Sequence, residues 1–220
     1  MNFNVIVPVI QPDLCNELIR SMEFNTILPT KVIIIDNSRG PFYQPQSDKF
    51  PIYVYHSQTG YVNESWNLGI TKVDITCDYV SILNDDIYLN SWFFQRVNET
   101  FKAYCTCGVA CPFTVEKFEE MGKGKKKPRI TRLLKREGWA MTFKKSVLDT
   151  IPPIPDYRVK IFHGDDWFWF HSKTQGNYWY RDEGNVIYHV VGASVKSEGF
   201  RSLKKKEKNE WIKIMGELGG

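Results

Sequence analysis

Along the first ninety residues, continuous apolar runs alternate with stretches in which apolar positions recur every three or four residues. Asn4 to Ile10 is a short, β-branched run closed by Pro12, which predicts a buried strand. Leu14, Leu18, Ile19 and Met22 then share one face of a helix for which Asp13 is the expected cap. Lys31 to Asp36 predicts a second strand, stopped by the turn formers Asn37 to Pro41, and Ile52 to His56 a third. Asn63 to Ile70 has helical spacing after Gly60, and Tyr79 to Leu83 predicts a fourth strand. This alternation points to βαβ units and a mostly parallel, Rossmann-like α/β sheet flanked by helices. Ligands of such sheets bind at the carboxyl ends of the strands, which singles out Pro8, Asp36, Gln58 to Gly60 and Asn84 to Asp86.

The second half is less regular. Ser91 to Tyr104 predicts a helix with Trp92, Phe93, Val97 and Phe101 inward, and Gly108 to Pro112 a strand. Residues 123–136 follow as an exposed loop, then Gly138 to Phe143 as a strand and Lys145 to Thr150 as a short helix. Pro152 to Pro155 is an abrupt stop. Asp165 to Ser172 predicts a helix, Val186 to Val191 a last strand, and Leu203 to Leu218 a C-terminal helix. No repeat or linker divides the chain, so one domain is expected over residues 1–220. Within it, residues 1–90 and 91–200 form two halves, with 201–220 as the C-terminal helix.

Composition narrows the function classes. With 42% hydrophobic and 25% charged residues, the chain is neither disordered nor a disulfide scaffold. The five cysteines, three of them crowded at Cys105, Cys107 and Cys111, lack a metal-binding spacing and read as reduced thiols. No run is long and apolar enough to cross a membrane, and Met1 to Val5 lacks the basic start of a leader, so a soluble, cytoplasmic protein is expected. The net charge is only +4, yet residues 123–136 hold eight basic residues and no acid. A run of that kind is either a solvated face or the mark of a polyanionic partner.

Three segments can carry chemistry. An apolar strand that delivers Asn84, Asp85 and Asp86 to its end offers hard oxygen ligands for Mg²⁺ or Mn²⁺ beside substrate phosphates; the same residues also suit a solvated turn. Asp165 and Asp166, among aromatic residues at the start of a helix, suit either a general base or helix capping. His189 ends a strand, as a structural histidine or a metal ligand.

The order of these segments resembles the family 2 glycosyltransferases of the GT-A fold. The resemblance runs from Val5-Ile6-Val7-Pro8 through Asp36, Gly60 with a helix carrying Asn67, Leu83-Asn84-Asp85-Asp86, Gly138-Trp139-Ala140-Met141 and Gly164-Asp165-Asp166 to His189-x-x-Gly192-x-Ser194. It implies that Asp36 contacts the nucleobase of a nucleoside diphosphate sugar and that Pro8, Val9 and Ile10 form the adjoining wall. Gly60, Asn67, Asn84 and Asp85 join the donor-binding set, with Asn84 where the family often has Asp. It further implies Asp86 and His189 as ligands of Mn²⁺ or Mg²⁺, and Asp166 as the base of an inverting transfer, with Asp165 in support or as the alternative. The resemblance also implies a nucleotide-sugar-binding half at 1–90 and an acceptor-side half at 91–200, so the basic run would face the acceptor and offer Lys125, Lys126, Lys127 and Arg129 for phosphate contacts and Trp139 or Trp167 for stacking. A hydroxylated base in DNA, as bacteriophages modify it, is one such acceptor; a phosphorylated polymer or a saccharide linked to lipid is another. A catalytically silent relative that binds nucleic acid is the reading from a different class.

Overall fold

The computed structural model describes residues 1–41, 43–123, 128–190 and 198–219; Lys125, Lys126, Lys127, Gly192 and Ser194 lie outside them. Period-two alternation along the first strands sets the layers. Strand β1 (Phe3–Val9) sends Phe3, Val5, Val7 and Val9 to one apolar cluster and Ile6 to another. Helix α1 (Pro12–Glu23) covers the first face with Cys15, Leu18 and Met22. Strand β2 (Lys31–Asp36) divides Val32 and Ile34 from Ile33 and Ile35 in the same way. After β3 (Ile52–His56), helix α2 (Val62–Ile70) brings Trp66 to the second face, and β4 (Tyr79–Leu83) returns to the centre. Strands β3, β2, β1 and β4 lie side by side in that order, all parallel. The chain thus builds outward from β1 on one side and then on the other, which puts a topological switch point between β1 and β4.

The second half continues the same sheet. It contains β5 (Ile87–Tyr88), α3 (Phe93–Ala103), β6 (Cys107–Val115), a 3₁₀ turn (Phe118–Lys123), β7 (Ile130–Arg132), β8 (Ala140–Lys144), α4 (Lys145–Leu148), α5 (Gly164–Thr174), β9 (Tyr178–His189) and α6 (Glu198–Glu217). Among the described residues, nine strands form one sheet in the order β3-β2-β1-β4-β8-β6-β9-β5, with β7 also on β9. Strand β8 runs antiparallel to β4 and β6, whereas β6 and β9 are parallel. Helix α3 packs on the first face through Phe93, Phe94, Val97 and Phe101, and α5 packs Phe168 on the second.

Several expected boundaries shift, each for a local reason. Helix α1 begins at Pro12, a position where a missing N–H costs nothing, so Asp13 sits in the first turn rather than at the cap. Trp92 precedes α3 and is 53% exposed instead of buried. Strand β7 lies within the basic segment, paired to β9. Strand β9 is twelve residues long because Arg181 and Asp182, which break its apolar period, find partners across the structure in Glu137 and Arg96.

A register shift between Pro112 and Phe113 opposite β9 marks a bulge, and two contacts hold it. Arg96 Nε and Nη2 donate to the two Asp182 oxygens at 2.8 and 2.7 Å, and Asn185 donates to the Phe93 carbonyl at 3.2 Å. These contacts fix the register that carries His189 opposite Ile87 on β5. Among the described residues, no helix is long and apolar enough to cross a membrane. The five cysteines are free thiols, all buried except Cys105. Burial pushes the thiols of Cys15 and Cys107 up to about 12 and that of Cys77 to about 11, and raises Cys111 as well.

Replacing Arg96 by Ala leaves Asp182, 2% exposed, without its charged partner. The expected loss is on the order of 3 kcal/mol of stability, read from the urea midpoint.

Candidate active site

The switch point is built by the two adjacent acids that follow β4, and they face different ways. Asp85 Oδ2 accepts the backbone N–H groups of Ile10 and Gln11 at 2.7 and 2.8 Å, which satisfies donors at the start of α1 that no local side chain caps. Burial outweighs these bonds and raises the Asp85 carboxyl above the usual carboxylate range. Asp86 turns the other way. Its Oδ1 is buried with no hydrogen-bond partner and lies 3.2 Å from His189 Nε2. The antiparallel pairing of β5 with the end of β9, and the bond from Val190 N–H to the Asp86 carbonyl at 2.9 Å, bring these residues together.

Four residues before β8 connect this pair to the second pair of acids. The Trp139 indole stacks on the His189 ring, with centroids 5.6 Å apart and planes at 19°, and its Nε1 donates to Thr114 Oγ1 at 2.6 Å. The Trp139 carbonyl accepts the Asn84 N–H at 2.9 Å. Gly138 lies so close to Asp165 that a Cβ there would stand 2.9 Å from the carboxylate Oδ2. Glu137 pairs with Arg181 at 2.8 Å, and burial raises its carboxyl. Arg136 Nε stands 3.1 Å from Asp165 Oδ2 and 2.5 Å from Asp166 Oδ1. These are charge contacts without an aligned N–H.

Both acids lie in the first turn of α5, where the helix dipole favours negative charge. Asp165 Oδ1 accepts the Asp166 N–H at 3.0 Å, and burial raises the Asp165 carboxyl despite the Arg136 charge. Asp166 Oδ2 lies 2.6 Å from His163 Nδ1. His163 caps the helix in a left-handed conformation, φ 67°, which costs a non-glycine residue on the order of 1–2 kcal/mol. Gly164 follows because a Cβ there would meet Asn63 Oδ1 at 2.2 Å.

The remaining expected site residues divide. Pro8 and Val9 are buried strand positions, while Ile10 is 56% exposed beside them. Asp36, at the end of β2, accepts Ser38 N–H at 2.8 Å and Tyr43 N–H at 3.3 Å, so its carboxylate shapes the following loop. Gly60 adopts φ 73°, and the loop before it is drawn in by Glu64, which accepts the N–H groups of Gln58 and Thr59 and the Thr59 hydroxyl. Asn67 is turned away from the acids. Its amide exchanges two hydrogen bonds with Ile154 and donates to Asp156, which ties α2 to the proline-rich stop. Trp167 is 7% exposed and donates to the Pro152 carbonyl, so burial removes it as a stacking surface. Arg129 is exposed on the basic segment. Sequence reasoning missed His163, although only Gly164 separates it from an acidic pair, and counted Arg136 only as one charge in a run.

No protein-family model matches the chain, and no curated protein matches it in sequence. Solved structures do. S. aureus TarS residues 1–349 with UDP superposes with a TM-score of 0.69 at 16% identity, over 96% of this chain and 65% of that one. The same protein with UDP-GlcNAc gives 0.66 at 16% identity, over 96% and 66%. GalNAc-T7 with UDP, GalNAc and Mn²⁺ gives 0.69 at 10% identity, over 86% and 43%. The fold is that of the GT-A glycosyltransferases. The chain spans 65% of the TarS 1–349 structure and less than half of GalNAc-T7.

Within that fold, the environment of Asp86 fits a divalent cation. A buried carboxylate oxygen without a hydrogen-bond partner is costly unless something cationic meets it, and His189 Nε2 supplies a second donor 3.2 Å away. Among the described residues no third His, Cys, Asp or Glu joins them. Such a pair leaves most of the coordination sphere to substrate oxygens and water, as suits an ion bound together with phosphates.

The two adjacent acids are expected to respond unequally to replacement. Asp85→Ala strands the Ile10 and Gln11 N–H groups and should cost about 1–3 kcal/mol. Asp86→Ala removes an oxygen that no hydrogen bond holds, so its loss of stability on urea unfolding should be the smaller of the two.

Proposed function

We propose that this chain is an inverting glycosyltransferase that moves a sugar from a nucleoside diphosphate donor to an acceptor hydroxyl, with Asp86 and His189 holding a divalent cation. The observation that carries the reading is the buried Asp86 oxygen that has no hydrogen bond and faces His189 Nε2 at the switch point of a GT-A sheet. The UDP and UDP-GlcNAc in the TarS structures, and the UDP and Mn²⁺ with GalNAc-T7, support a uridine diphosphate donor. An imidazole beside a carboxylate favours Mn²⁺ over Mg²⁺. When bound, the ion would offset the negative charge that grows on the departing diphosphate.

The rest is done by side chains. Asp166 accepts the proton of the acceptor hydroxyl as its oxygen attacks the anomeric carbon, and a single displacement from the face opposite the diphosphate inverts that centre. A carboxylate has about four lone-pair sites, and His163 takes one on Asp166 while Arg136 stands beside it without an aligned N–H, so sites remain for the hydroxyl. Asp165 supports its neighbour, since its own oxygens hold the Asp166 N–H and face Arg136. The nucleobase lies against Ile10 and the loop that Asp36 shapes.

The acceptor in this reading is polyanionic. Arg129 and Lys135 are exposed on the basic segment, whereas Arg132 stacks on Tyr178 at 3.2 Å and Arg136 serves the acids. A hydroxylated DNA base remains one form of that acceptor, with Trp139 alone left to stack on it.

Calorimetry with UDP, GDP and dTDP, each with and without Mn²⁺, tests the donor site. UDP is expected to bind, and more tightly with Mn²⁺; Asp86→Ala should abolish the Mn²⁺ effect. Failure of all three nucleotides to bind would overturn the reading. Asp166→Asn should keep UDP affinity within about twofold while lowering UDP release from a UDP-sugar by about 10²–10⁴-fold. A silent nucleic-acid-binding relative would be indifferent to that change.

A further inference from the structure

Resting on the assignment of Asp166 as the base, we propose that His163 and Trp211 are its positioning residues, so that helix α6 aims the carboxylate that accepts the proton. The contact begins with His163 Nδ1, 2.6 Å from Asp166 Oδ2. A carboxylate can only accept, so the imidazole proton sits on Nδ1 and the ring fixes the rotation of the carboxylate. The ring itself needs a support. It lies flat on Trp211, with centroids 5.3 Å apart and planes 4° from parallel.

The backbone before His163 is held from two sides. Glu207 Oε2 on α6 accepts the N–H groups of Ile161 and Phe162 at 3.1 and 2.8 Å. Asn63 on α2 donates to the Phe162 carbonyl at 3.1 Å. With both backbone groups of Phe162 engaged, His163 takes the left-handed conformation that turns its ring toward Asp166, and its carbonyl accepts the Trp167 N–H that starts α5.

The inward face of α6 is unusual for a helix that merely packs. At helical spacing it presents Leu203, Glu207, Glu210, Trp211 and Ile214, with Glu217 exposed near its end. Of these, Ile214 is buried in the second apolar cluster. Glu207 and Trp211 act on the segment that sets His163, while Glu210 and Glu217 pin the helix through Arg158, at 3.4 and 2.6 Å. Packing alone would be served by an aliphatic stripe. Carboxylates aimed at backbone N–H groups, and an indole laid on an imidazole, fix orientation instead.

Two readouts on the full chain test the proposal. Two-bond ¹H–¹⁵N NMR on histidine-labelled protein should find His163 protonated at Nδ1, with that proton shifted far downfield; Trp211→Leu should move it toward the exposed-imidazole position. In steady-state release of UDP from UDP-GlcNAc with MnCl₂, water serving as acceptor, His163→Phe and Trp211→Leu should lower kcat by about 10²-fold with donor KM unchanged. His163→Asn tolerates the same backbone and keeps a donor, so it should recover about a tenth of the wild-type kcat. A His163 protonated at Nε2 with Nδ1 free, or unchanged kcat in His163→Phe, would overturn the positioning. A wild-type protein silent toward UDP-GlcNAc would count against the donor reading, and the NMR result then decides the positioning by itself.

Discussion

Where β1 gives way to α1, the N–H groups of Ile10 and Gln11 have no local acceptor, and the Asp85 carboxylate supplies one from the end of β4. This contact closes the gap between two parallel strands that diverge at the switch point. It also decides the course of the residues that follow. With Asp85 drawn toward α1, the next side chain on the same turn is sent to the opposite side, into the path of β9. The start of a helix, the end of a strand and the orientation of Asp86 are settled together. A buried carboxylate is a costly group to place at such a junction, and it is stable there because two main-chain dipoles converge on it.

The pattern recurs at α5. Asp165 binds the backbone of its neighbour and packs against Gly138, while Asp166 is held only through side chains of His163 and Arg136. In both pairs one acid serves the main chain and the other faces side chains only. A single acid at either place would have to combine rigidity with chemistry. Adjacency separates the two tasks, since successive side chains at a strand end or in a helix turn cannot point the same way.

The parallel half of the fold was legible because its strands are uninterrupted β-branched runs, as in Val32 to Ile35, and buried strands need little else. Strand β9 was not, beyond its last residues. Arg181 and Asp182 hide it in the sequence, and the ion pairs that make it tolerable come from Glu137 and Arg96, far away in the chain. Side-chain partnerships were equally hidden. Asn67 stands on the expected helix but spends its amide on Ile154, and Trp167 stands beside the acids but hydrogen-bonds into the interior. The acids and His189 could be read as candidates, because carboxylates at strand ends are few. Which acid of each pair faces outward is set by tertiary contacts alone.

The distribution of thiols has a practical consequence. Four cysteines are buried, and Cys105 is exposed just before β6. Parallel pairing of β6 with β9 runs from Cys107 opposite Tyr178 to Val115 opposite Tyr188, so the exposed sulfur and His189 lie at opposite ends of the sheet. At the strand rise of about 3.3 Å per residue, the separation along the strands is roughly 30 Å. A maleimide dye would therefore attach at one place, far from the acids, and the unaltered chain could be tethered to a surface or followed by fluorescence without engineering a handle.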